Sequence, residues 1–159
     1  LSASVAEFRA SLERNLVHYF TMAKYCWPHL VKSQGNIVNI GSKVYEMPQG
    51  DTAAYAAAKG GIHSMTLDWA KRCTDGDYDI RINTVIVADV MTDMYEKWLQ
   101  TQQQPLALLN EIKQGIPLGK RMTKAHEVAD LVAFLASDNL ASHIIGEAVR
   151  VDGGRVTLH

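Results

Sequence analysis

Glycine never gathers in this chain in the way that phosphate binding demands. No G-x-G-x-x-G and no P-loop occurs in the 159 residues, and the nearest spacing, Gly115 to Gly119, has Ile116-Pro117 at its centre and offers no run of backbone donors. Cysteine is down to Cys26 and Cys73, without Cys-x-x-Cys spacing, which favours buried or idle thiols over redox or metal chemistry. None of the six histidines falls in His-Glu-x-x-His or another ligand spacing, so no metal is expected. Charge of one sign is not in excess. Sixteen basic residues against 17 acidic ones give a net charge of −1, with no basic surface for nucleic acid and no polybasic stretch for anionic lipid. No apolar run approaches 18 residues, and Ser2-Ala3-Ser4-Val5-Ala6-Glu7 is no signal-peptide core, so a cytoplasmic protein away from membranes is expected. Repeats, low-complexity tracts and strong linkers are missing too, so residues 1–159 are read as one domain.

What is there is an ordinary globular composition, 47% hydrophobic and 21% charged, with alternating helix and strand signals. Val5, Phe8, Leu12, Leu16, Tyr19 and Phe20 recur at helical spacing from Ser4 to about Trp27, with Ser4 and Glu7 placed as a capping box and Pro28 predicting a stop or kink. Then follow a strand at 36–41, a loop through Gln49-Gly50-Asp51, a helix at 52–73, a turn at Asp75-Gly76-Asp77 and a strand at 79–86. An irregular region at 88–115, a helix at 125–136 and a strand at 147–151 complete the chain, and Asp152-Gly153-Gly154 reads as a tight turn. Strands alternating with helices predict an α/β fold with right-handed crossovers and a parallel sheet.

The chemistry concentrates at three residues. Tyr55 and Lys59 stand four apart in Thr52-Ala53-Ala54-Tyr55-Ala56-Ala57-Ala58-Lys59, hence on one helix face, where the ammonium favours the phenolate of the tyrosine. A tyrosine ordinarily titrates near 10, and a lowering of about two units suits it to exchange a proton with an alcohol or carbonyl oxygen. Six tyrosines and nine lysines give roughly 0.3 chance matches to this spacing. Ser42 raises the pattern above chance: it follows the apolar run Ile37-Val38-Asn39-Ile40-Gly41, at the carboxyl end of a strand, where open α/β sheets bind ligands.

In order and spacing these residues resemble the short-chain dehydrogenase/reductases. Asn15 in Glu13-Arg14-Asn15-Leu16 is similar to that family's helix asparagine, Ser42 to its serine, and Tyr55 and Lys59 to its Tyr-x-x-x-Lys pair. Downstream, Arg81-Ile82-Asn83-Thr84-Val85, Thr92, Pro117-Leu118-Gly119-Lys120-Arg121 and Val151-Asp152-Gly153-Gly154 continue the resemblance. The resemblance implies a Rossmann-like, doubly wound parallel sheet, incomplete at its N-terminal half. It implies a nicotinamide cofactor, NAD or NADP, and a small alcohol or carbonyl substrate. Tyr55 and Lys59 are then both catalytic and cofactor-binding, Ser42 binds the carbonyl oxygen, and Asn15 holds a water linking the lysine to solvent; read from sequence alone, an asparagine on a helix is more often a solvent-facing or locally capping residue than a site residue. Val90 and Thr92 are expected against the nicotinamide, although Val87-Ala88 replaces the family's Pro-Gly; Asp89 and Asp93 suit a solvent loop as well as a site. A faint likeness to aldose and polyol members lies in Asn39-Ile40-Gly41-Ser42-Lys43 and Gln49-Gly50. The helices at 4–27 and 52–73 resemble the pair that joins subunits in this family, implying a homo-oligomer, a dimer or tetramer.

The family's glycine-rich Thr-Gly-x-x-x-Gly-x-Gly turn and its Asn-Asn-Ala-Gly segment do not occur, and the chain opens at Leu1. About the first 90 residues of a roughly 250-residue domain are therefore expected ahead of it. The alternative reading is a catalytically silent remnant that keeps only assembly surfaces. Lys43 is expected in solvent, with the substrate cleft as the other option. The stretch from Asp93 to Gly115 suits either a mobile lid with Met94, Tyr95, Trp98 and Leu99 as its apolar inner face, or a packed helical hairpin.

Overall fold

The computed structural model describes residues 2–158. Ser4 opens the first helix, α1 (Val5–Leu12), through a capping box: its hydroxyl accepts from the Glu7 amide at 3.3 Å, and the Glu7 carboxylate accepts from the Ser4 amide at 2.7 Å. The helix then widens into a π turn at Glu13–Val17 before continuing as α2 (His18–Ser33). Pro28 does not end it. The helix runs five residues further and closes at Gln34 in the left-handed conformation (φ 52°). Proline removes one amide donor, but Ala23, Trp27 and Leu30, on both sides of it, pack into the core, and that burial outweighs the lost bond.

Three strands form a parallel sheet in the order β1 (Asn36–Ile40), β2 (Arg81–Val87), β5 (Ala148–Val151), with Ile37 opposite Ile82 and Thr84 opposite Ala148. The long α3 (Ala53–Asp75) and α2 cover one face, where Trp69, Ala70 and Cys73 meet Ile80 and Ile82. The other face takes α6 (Ala125–Ala136), onto whose Leu135 carbonyl Arg81 donates at 2.6 Å while reaching Asp138 at 2.8 Å. Covered on both sides, β2 is buried from Arg81 to Ile86, as a central parallel strand requires. A buried polar ladder locks α3 onto the sheet: the Asn39 amide donates to the Thr66 hydroxyl at 2.8 Å, which lies 2.7 Å from that of Thr84. Satisfied in this way, the ladder fixes the rotation of α3 and so the direction in which Tyr55 and Lys59 point.

Residues 88–115 hold more regular structure than their sequence suggests. A second, two-stranded parallel ribbon pairs β3 (Val90–Met91) with β4 (Thr123–Lys124), and two short helices follow β3, α4 (Asp93–Gln100) and α5 (Pro105–Gln114). On α4, Leu99 is buried and Tyr95 half-buried, whereas Met94 and Trp98 are exposed, so the expected four-residue inner face narrows to two. At the C-terminal end, Gly153 and Gly154 adopt φ 61° and 81°, and the Asp152 carboxylate accepts from the amides of Gly154 and Val156.

Candidate active site

The site forms where β1 ends. Gly41 continues the ladder by donating to the Val85 carbonyl at 2.8 Å, and a methyl group there would sit 2.6 Å from Ile86 Cδ1 and 2.8 Å from Thr84 Cγ2. Only glycine brings the backbone this close to β2, and Ser42 leaves the sheet from that point in extended conformation (φ −156°). Ser42 is buried, and its Oγ accepts from the Val44 amide at 3.5 Å as it caps the 3-10 turn Lys43–Tyr45. Among the described residues nothing accepts its hydroxyl proton, so that donor is available.

In parallel pairing the N–H and C=O of one residue point to the same side and alternate along the strand. With Gly41 facing β2, the Ile40 carbonyl faces the other way, and two donors meet on it: Lys59 Nζ at 3.0 Å and the Tyr19 hydroxyl at 2.9 Å. Lys59 comes from the second turn of α3 and is 9% exposed. Burial pulls its pKa down, since water no longer stabilises the ammonium. Its charge sits 5.6 Å from the ring centre of Tyr55 and 5.4 Å from that of Tyr19. The Tyr55 hydroxyl has no hydrogen-bond partner among the described residues, although the residue is half-buried. Lys59 and Tyr55 thus meet at the end of the strand that Ser42 follows, with an ammonium near a phenol ring and two hydroxyls whose protons have no acceptor among the described residues.

Asn15 lies in the π turn, and its amide Nδ2 donates to the Ser11 carbonyl at 2.9 Å and to the Ser11 hydroxyl at 3.3 Å, within its own helix. The side chain of this helix that touches Lys59 is Tyr19, whose position four residues after Asn15 was visible only as part of an apolar stripe. Val90 is half-buried in β3, and Thr92 is exposed, its Oγ accepting from the Tyr95 amide at 3.2 Å as the cap of α4. Val87, where the family places proline, keeps an amide and extends β2 to pair with Val151. Lys43 reverses its expectation: it is 4% exposed and ion-paired with the buried Asp89 at 2.6 Å.

A family model described as enoyl-(acyl carrier protein) reductase matches residues 1–155. The chain belongs to the short-chain dehydrogenase/reductase family. It is 35% identical over 151 residues to the L-fucose dehydrogenase of Bos taurus, covering 95% of this chain and 54% of that protein. It is also 35% identical over 151 residues to the 3-oxoacyl-(acyl-carrier-protein) reductase FabG of Thermotoga maritima, covering 94% of this chain and 57% of that one. Among solved structures, the Cj0485 dehydrogenase superposes with a TM-score of 0.93 at 42% identity, over 99% of this chain and 60% of that one. The chain thus spans little more than half the length of the curated relatives it matches. As in those structures, this short-chain dehydrogenase/reductase chain has a parallel sheet between helices, here as the part of the Rossmann-like fold that carries the Tyr-x-x-x-Lys helix.

Proposed function

We propose that residues 1–159 form the catalytic portion of an NAD(P)-dependent oxidoreductase that interconverts a secondary alcohol and a ketone. The observation that carries this reading is the buried Lys59 ammonium, held on the Ile40 carbonyl and 5.6 Å from the ring centre of Tyr55, at the strand end from which Ser42 leaves the sheet. Tyr55 takes the proton of the substrate alcohol in oxidation and returns it in reduction. The charge of Lys59 stabilises the phenolate that this exchange requires. Ser42 donates its free proton to the substrate oxygen, so that negative charge developing there is met by a positioned donor. Asn15 continues the proton path toward solvent. The donors fit a nicotinamide ribose: an ammonium and a phenol at the strand end suit its vicinal hydroxyls, and Val90 and Thr92 flank the same end of β2. When bound, NAD or NADP supplies the hydride acceptor or donor. A sugar or polyol substrate is supported by the likeness to a protein named L-fucose dehydrogenase. Phe20, Met22 and Tyr25 on α2 and Leu67 on α3 expose large apolar side chains, which supports assembly as a homo-oligomer through those helices.

The test is Tyr55→Phe in the protein that carries this chain. Turnover of a secondary alcohol is expected to fall by about 10²–10⁴, the worth of general acid-base catalysis, while the reduced cofactor still binds, its affinity lowered only by one ribose hydrogen bond, about 1 kcal/mol. Unchanged turnover rules the assignment out.

A further inference from the structure

Lys59 is a buried cation without an anion. Among the described residues no carboxylate comes within ion-pairing distance of its Nζ, and its hydrogen-bond partners are the Ile40 carbonyl at 3.0 Å and the Tyr19 hydroxyl at 3.5 Å. The hydroxyl proton of Tyr19 is committed to Ile40, so the lone pairs of its oxygen are left to receive the ammonium. Three elements therefore meet in a small triangle: a carbonyl from β1, a phenol from α2 and an ammonium from α3. The ring of Tyr19 lies as close to the charge as that of Tyr55, 5.4 Å against 5.6 Å.

We propose that Tyr19 is a positioning residue for Lys59: it gives the buried ammonium its second acceptor and, by sharing the Ile40 carbonyl, holds that charge against Tyr55. The inference rests on the reading of Tyr55 and Lys59 as the acid-base pair. It assigns to α2 a side chain that reaches the lysine directly, where Asn15 bonds within its own helix. The other titratable groups nearby leave the charge of Lys59 to these partners. His18 tilts against the Tyr19 ring at 4.3 Å, and His63, one turn beyond Lys59 on α3, stacks on Tyr45 at 5.0 Å. The burial that pulls Lys59 down also pushes the Tyr19 hydroxyl up, with Tyr55 adding to the rise, so Tyr19 remains a neutral acceptor in the working range.

The experiment follows the ionisation of Lys59 by NMR of its side-chain carbon, in the protein that carries this chain and without cofactor. Tyr19→Phe keeps the ring and removes the acceptor; the midpoint of Lys59 is expected to fall by about half to one pH unit. With saturating cofactor, kcat for alcohol oxidation is expected to fall about tenfold, its acid limb moving to higher pH, with KM for the alcohol nearly unchanged. If Tyr19→Phe does not fold, Lys59→Met serves instead: loss of the cation is expected to raise the ionisation midpoint of Tyr19, read from its ring carbon. An unmoved Lys59 midpoint in Tyr19→Phe, or an unmoved Tyr19 midpoint in Lys59→Met, overturns the proposal and reduces Tyr19 to an anchor for α2. Either result, with Tyr55→Phe inactive, leaves the acid-base pair standing, whereas full turnover in Tyr55→Phe removes both.

Discussion

Lys43 and Asp89 show what a single residue's surroundings decide. Each is almost fully buried, their charged atoms are 2.6 Å apart, and Arg155 Nε lies 3.5 Å from the same Asp89 oxygen. Burial of Tyr95, and then the charge of Asp89, pushes the Tyr95 hydroxyl up. Removing one partner of a buried pair strands the other charge and costs about 3–5 kcal/mol, whereas replacing both with groups of similar shape is close to neutral. Lys43→Met is therefore expected to lower unfolding free energy by about 3 kcal/mol, at the lower end because Arg155 stays near Asp89, and adding Asp89→Asn is expected to recover most of it. Urea denaturation of the two single variants and the double variant checks this; additive losses would contradict it. The pair was illegible in the sequence because lysine is seldom buried and its partner is 46 residues away. The placement of Ser42 at a strand end and of Tyr55 and Lys59 on one helix was legible because strand end, glycine and helix spacing are local. Tyr19 failed for the opposite reason: its spacing was in view, but an aromatic in an apolar stripe reads as core until the strand it meets is known.

Among the elements, α6 follows its sequence, found at 125–136 as expected. Helices α4 and α5 were harder to see, since their glutamine-rich join carries little periodicity and β3 pairs with a strand more than 30 residues on. The π turn had no signature at all, and it changes the helical phase of every residue after it, Tyr19 included. At the start of α6 the Glu127 carboxylate accepts from both Arg121 nitrogens, at 2.6 and 2.8 Å, and from the Lys124 amide at 2.8 Å. Arg121 first and the Lys124 amide second hold this carboxyl at about 2, against an ordinary 4.5. Because the folded value is the lower one, its stabilising effect is complete above pH 4.5 and drains away as pH falls toward 2. Amide exchange in the first turn of α6 is thus expected to quicken across that window, and Glu127→Gln to remove the step. The same acid step in that variant would show that another group causes it.

At the scale of the whole molecule, the sheet is covered above and below yet unpaired along the outer edges of β1 and β5, among the described residues. β2 has neighbours on both edges, β5 lies on one flank, and β1 pairs on its β2 side only, among the described residues. Parallel sheets are normally interior structures, and an unpaired parallel edge exposes alternate amides and carbonyls. The alternation is fixed by Gly41, whose amide reaches Val85. Ile37, Asn39 and Gly41 therefore face β2, while Val38 and Ile40 face outward, with the Ile40 carbonyl taken by Lys59 and Tyr19 and the backbone groups of Val38 left to the edge. The chain covers 54% of the bovine relative and 60% of the Cj0485 structure, so a longer protein has material to lay against that edge. Hydrogen exchange separates the two situations. In the 159-residue chain the Val38 amide is expected to exchange about fivefold or more faster than those of Ile37 and Asn39, matching the roughly 1 kcal/mol of one net hydrogen bond, and to equal them once the chain sits in the longer protein. Equal protection of all three in the short chain would mean that the edge is already covered, by a second copy or by a shifted strand. Sedimentation of the same sample tells those apart, because a second copy doubles the mass and a shift does not.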